Sequence, residues 1–151
     1  KKNVFAFHAV YQYVIPFGVD DEGNDRDIPF YEKFFLGGER SIRGFDIYRI
    51  GPKDPQGNVL GGTKALFLNF EYHIPLNQQF SFVFFYDVGN AFDTGRAVNF
   101  RDIYSSMGLE LKIYIPMMGV PFRLIMAYNP RLLKEDESHF QFRFGIGPSF
   151  Y

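Results

Sequence analysis

The strongest restriction on this chain is a two-residue rhythm, repeated in segments of about ten residues. From Lys64 to Pro75 the residues Leu66, Leu68, Phe70, Tyr72 and Ile74 fall on one side, and Asn69, Glu71 and His73 on the other. Successive Cβ atoms of a strand point to opposite faces, so such a period belongs to a strand whose two sides meet different surroundings. The same rhythm sets Phe80, Phe82, Phe84, Tyr86 and Val88 against Ser81, Val83, Phe85, Asp87 and Gly89. It sets Met107, Leu109, Leu111, Ile113 and Ile115 against Tyr104, Ser106, Gly108, Glu110, Lys112 and Tyr114. Phe122, Leu124, Met126 and Tyr128 oppose Arg123, Ala127 and Asn129, and Phe140, Phe142, Phe144 and Ile146 oppose Gln141, Arg143, Gly145 and Gly147. A weaker first segment places Phe5, Phe7, Tyr11 and Tyr13 away from His8 and Gln12.

These segments predict six strands, at about 3–14, 64–75, 79–90, 103–115, 121–130 and 140–150, in one domain over 1–151. Aromatic residues make up 20% of the chain, a bias that favours strands over helices. Glycine and proline cluster between the segments, where they punctuate the chain as turns. The connections alternate in length: Leu76–Gln78 and Pro116–Val120 are tight, whereas 16–63, 91–102 and 131–139 are long. Tight turns at one end and long loops at the other are the habit of outer-membrane barrels, and ten residues suffice for a tilted strand to cross a bilayer. The fold class expected is all-β, an antiparallel transmembrane barrel portion of six meander strands with one long loop.

A lipocalin-like soluble barrel would bury its apolar side and expose charge. Here the apolar sides carry aromatics too large to fill a small lumen together, while the opposite sides carry small or pairable residues such as Gly108, Glu110, Gly145 and Gly147. That contrast favours lipid outside and a polar cavity inside. Tyr48, Tyr86, Tyr104, Tyr114, Tyr128 and Tyr151 are candidates for interfacial aromatics. A formal net charge of −1 provides no field for nucleic acid, so none is expected as a partner. The absence of cysteine removes disulfides and thiolate metal sites. No apolar run is long enough for a membrane helix, and Lys1 and Lys2 are not followed by the apolar core of a signal peptide. His8, His73 and His139 are scattered, with no spacing that suggests acid/base or nucleophilic catalysis, so neither enzyme activity, cofactor nor metal is expected.

The long connection contains Phe34-Phe35-Leu36-Gly37-Gly38-Glu39-Arg40-Ser41-Ile42-Arg43-Gly44-Phe45, followed by Ile50-Gly51-Pro52. Chemically, Gly37, Gly38 and Gly44 allow positive φ and close approach to a wall, Phe45 can wedge against apolar surface, and Arg43 offers a planar five-donor fork. The order resembles the Gly-Gly, then (Val/Ile)-Arg-Gly-Phe signature of the BamA-like outer-membrane assembly and translocation family. The resemblance implies that this loop folds back into the barrel lumen with Arg43 at its tip. Asn69-Phe70-Glu71 and Phe85-Tyr86-Asp87-Val88-Gly89-Asn90 are similar to the family's acidic motifs on its twelfth and thirteenth strands. Arg43 is therefore expected to bridge Glu71 and Asp87, with Gly37, Gly38, Ile42, Gly44 and Phe45 completing the loop-anchoring motif.

Near the end of the chain, Phe142-Arg143-Phe144-Gly145-Ile146-Gly147-Pro148-Ser149-Phe150 resembles the terminal β-signal of outer-membrane barrels, with Phe142, Phe144, Ile146 and Phe150 or Tyr151 as its apolar positions. The resemblance covers the whole chain and aligns it with the last six of the family's sixteen strands, which implies a C-terminal portion whose first ten strands and POTRA modules lie elsewhere. It implies assembly and insertion of barrel proteins into the bacterial outer membrane through a lateral seam at the last strand. The partners implied are unfolded barrel clients, accessory lipoproteins of an assembly complex, the absent strands and modules, and surrounding lipid or detergent. A two-partner secretion or autotransporter-assembly translocase of the same superfamily is the alternative, followed by a porin-like channel and a soluble binding barrel.

Overall fold

A computed structural model describes residues 2–19, 21–23, 26–93 and 95–148. Six strands form one antiparallel sheet in chain order: β1 (Val4–Tyr13), β2 (Lys64–Pro75), β3 (Phe80–Phe92), β4 (Tyr104–Tyr114), β5 (Pro121–Tyr128) and β6 (Phe140–Ile146). Each strand pairs with its chain neighbour, so the sheet is open, with β1 and β6 at its edges. Among the described residues no helix is long and apolar enough to cross a membrane.

The strand ends differ from the expected ones for local reasons. β3 runs on to Phe92 because Ala91 and Phe92 still pair with Ala65 and Lys64. β5 stops at Tyr128, where Asn129 and His139 close the connection to β6. β6 stops at Ile146, before Gly147 at φ 108 and Pro148, which has no N–H to donate. In the tight β2–β3 turn, the Asn77 side-chain oxygen accepts from the N–H groups of both Gln79 and Phe80.

The two sides of the sheet differ as the rhythm predicts. Alternate residues of β2, and of β3 as far as Gly89, are buried, and those between them are half-buried or exposed; the end of β3, Gly89 to Phe92, is buried throughout. Phe84, Met126, Phe142 and Phe144 are each more than half exposed on the outer side, a surface suited to acyl chains. Tyr86 is a correction to the interfacial set: it lies mid-strand, opposite Phe70 and Met107, instead of near a strand end. Tyr104, Tyr114 and Tyr128 do sit at strand ends.

The inner side is covered by the part of the long loop from 34 to 62. A 3-10 turn at Phe30–Glu32 and short bridges Phe34↔Gly62, Leu36↔Ile50 and Lys53↔Val59 give the loop its own shape. Leu36, Ile42, Phe45 and Ile50 pack on Ala65, Phe67 and Ala91 of the sheet. Each such Ile or Phe contributes about 1.5–3 kcal/mol by leaving water, so the loop is held apolarly as well as by charge.

Candidate functional site

Phe85 lies at the centre of the inner side. The register sets it opposite Glu71 on β2 and opposite Gly108 on β4. Asp87 is two residues further along β3 and Glu110 two residues further along β4, so three carboxylates surround one ring on a single face. Gly108 leaves room for that ring, since a Cβ there would approach it at 2.9 Å.

The loop delivers Arg43 onto this ring. Its guanidinium carbon lies 4.1 Å from the Phe85 centroid, a cation–π contact. Arg43 Nε and a terminal nitrogen donate to the two oxygens of Asp87 at 2.8 and 2.7 Å. The other terminal nitrogen donates to Glu71 and, at 3.2 Å, to Glu110. Arg43 is 1% exposed and the three acids are fully buried. Burial alone would push the guanidinium's pKa down, but the bond to Asp87 and the charges of Asp87, Glu71 and Glu110 reverse this and raise it, so the group stays cationic.

The loop tip is held by its backbone too. The Arg43 N–H donates to Asp87 at 3.1 Å, and Asn69 Nδ2 donates to the Ser41 carbonyl at 2.6 Å and to Asp87 at 2.8 Å. Asn129 Nδ2 donates to the Gly44 carbonyl at 2.7 Å. Gly38 N–H donates to Phe45 C=O at 2.7 Å, closing the tip on itself. Gly37 and Gly38 adopt positive φ of 107° and 92°. Gly44 does not, and is needed for another reason: a Cβ there would stand 1.8 Å from Asn129 Oδ1 and 2.4 Å from Ser106 Oγ. Phe45 is buried in the loop's apolar cluster and meets Tyr104 edge to face.

Further charges, absent from the candidate residues read in the sequence, complete the cluster. Arg123 on β5 grips Glu110 with two donors, at 2.7 and 2.9 Å, and both groups are fully buried. Lys112 lies 4.0 Å from both Glu71 and Glu110, and His73 Nε2 is 2.7 Å from Glu71. Three acids thus face Arg43, Lys112 and Arg123, which explains how so many charges are buried together. The alternation alone had put Glu110, Lys112 and Arg123 on the polar side; their mutual distances depend on register. Phe142, Phe144 and Ile146 point outward from β6, whereas Phe150 and Tyr151 lie outside the described residues. The groups of the cluster satisfy one another, an arrangement able to fasten a loop to a wall.

The sequence matches the Omp85 superfamily domain over residues 1–150. The chain belongs to the Omp85 superfamily. Within Omp85 proteins, the outer membrane protein assembly factor BamA of Nitratidesulfovibrio vulgaris is 31% identical to it over 134 residues, which is 85% of this chain and 17% of that protein. A SAM50-like protein of Schizosaccharomyces pombe is 40% identical over 53 residues, 35% of this chain and 11% of that one. The chain therefore spans less than a fifth of either relative. A crystal structure of BamA from Haemophilus ducreyi lacking POTRA domains 1–3 shares its fold, with a TM-score of 0.74 at 24% identity over 97% of this chain and 31% of that one. The six strands are part of an Omp85-type outer-membrane β-barrel.

Proposed function

We propose that the chain is the C-terminal part of a barrel that assembles and inserts other β-barrel proteins into the bacterial outer membrane, through a lateral seam at β6. The observation that carries this reading is the contrast between the two ends of the sheet's polar lining. Around β2, β3 and β4 a buried ion cluster holds the loop tip rigidly. Among the described residues β6 is seven residues long, pairs with β5 along one side and is followed by Gly147 and Pro148. An unpaired edge is a template for another strand, and a weakly paired one releases at low cost. Arg43, Glu71 and Asp87 then anchor the loop, Gly37, Gly38, Ile42, Gly44 and Phe45 shape it, and Phe142, Phe144 and Ile146 face lipid along the seam. Unfolded barrel proteins are the clients; ten further strands, POTRA modules and accessory lipoproteins belong to the complete machine.

The test is a cysteine pair joining β6 to the first strand of the full-length protein, reconstituted in lipid vesicles with an unfolded barrel client. Oxidation abolishes client insertion and reduction restores it. Insertion at full rate with the seam locked overturns the reading, and export of a soluble polypeptide instead of insertion assigns the protein to the secretion branch.

A further inference from the structure

The loop meets the wall at two places of unequal strength. The first is the Arg43 cluster on β2, β3 and β4, which Arg123 of β5 completes. The second is centred on β6 and reaches Arg123 of β5. Arg143 of β6 donates to Asp46 of the loop at 2.8 Å and, more weakly, to the Gly44 carbonyl at 3.4 Å. Glu39 of the loop reaches past β6 to Arg123 at 3.7 Å. Its carboxylate occupies the space above Gly145: a Cβ at that position would stand 2.0 Å from Glu39 Oε2. A strand glycine weakens pairing, and here its lack of a side chain makes a socket for a loop acid.

We propose that Arg143 and Gly145 form a second, releasable docking site for the loop, which positions β6 as one side of the seam. The inference rests on the insertion reading for the purpose of the seam, but not for the latch itself. Solvent exposure separates the two sites. Arg43 and its acids are all but fully buried, whereas in the described six strands Asp46 is 70% exposed against Arg143 at 21%, and Glu39 is 31% exposed against a fully buried Arg123. Water and salt reach the loop acids Asp46 and Glu39, so these contacts let go while the first site holds. The loop thereby stays in the lumen when β6 moves. Release of β6 frees Arg143 and the groove over Gly145 without unpairing any buried carboxylate.

The experiment is amide hydrogen exchange on the full-length protein in nanodiscs, with no client present, comparing residues 141–146 with residues 41–45. Asp46→Arg speeds exchange in β6 by about two- to five-fold, the factor appropriate to loss of a partly exposed pair, and leaves the loop tip protected. Gly145→Val does the same by displacing Glu39. The exchanged pair, Asp46→Arg with Arg143→Asp, restores β6 to its original rate. Unchanged β6 exchange in Asp46→Arg overturns the latch. So does failure of the exchanged pair to restore it, and so does simultaneous loss of protection at the loop tip, which would make the two sites one. Should Gly145→Val not fold, Asp46→Arg at its exposed site decides alone. Because no client is involved, a protein that inserts nothing still answers the question, and the locked-seam assay fails independently.

Discussion

Replacing Arg43 by alanine removes four side-chain hydrogen bonds to three buried carboxylates and the cation lying on Phe85. Charge-assisted bonds of this kind contribute about 1.5–3 kcal/mol each, but their simple total overstates the loss, because alanine also avoids the desolvation of the guanidinium itself. What matters is which acid is left stranded. Glu110 keeps both donors of Arg123, and Glu71 keeps His73 and Lys112 nearby. Asp87 loses two of its donors and keeps the Asn69 amide and the Arg43 backbone N–H only while the tip stays docked. The cost therefore concentrates on Asp87, at about 3–5 kcal/mol, the range for breaking a buried pair from one side. That corresponds to roughly two to three and a half powers of ten in the folded or docked equilibrium. Urea unfolding of the full-length protein in micelles, followed by heat-modifiable gel mobility, measures the first; protease nicking within 16–63 measures the second. Because the penalty is an orphaned charge, Arg43→Ala with Asp87→Asn is less destabilised than Arg43→Ala alone. Additive losses in the double variant, or an unchanged urea midpoint and loop protection in the single one, would refute the reasoning.

Other substitutions separate the remaining contributions. Phe84→Arg places a charge on the outer face at mid-strand and costs about 2–4 kcal/mol in a bilayer; an unaltered unfolding midpoint in lipid vesicles would mean this face does not meet acyl chains. Gly44→Ala drives a methyl into Asn129 and Ser106, and about 1–3 kcal/mol of destabilisation with faster exchange at residues 41–45 is expected, while the outer-face packing stays intact. Glu110→Gln leaves Arg43 and Arg123 facing each other without their shared anion, which costs about 3 kcal/mol of stability and lowers the urea midpoint accordingly; Glu110→Asp recovers part of it.

The strands were legible because their signal is local. Lys64–Pro75 alternates so regularly that its two sides are decided by side-chain chemistry alone, and the strand has those bounds. β6 was harder, since Gly145, Gly147 and Pro148 supply turn chemistry within an alternating run, and the strand ends at Ile146. The sequence around Gly44 suggests a need for backbone freedom, yet its φ is not positive and its role comes from Asn129 and Ser106, which lie 85 and 62 positions away in sequence. Glu110 carried no motif. Its contact with Arg43 requires the offsets of β2, β3 and β4 together, a quantity that no window of sequence contains.

The sequence by itself therefore determined two-sidedness: which residues meet an apolar medium and which look inward, because a period of two and the polarity of each side chain are properties of neighbouring residues. It also marked Arg43 as a cation needing acids. Only the tertiary structure decided which groups share its charge, that Arg123 and Lys112 balance the third acid, and that Glu39 and Asp46 reach the last strand. Those choices depend on strand register and on the path of a long loop, both of which are settled by contacts between residues far apart in the chain.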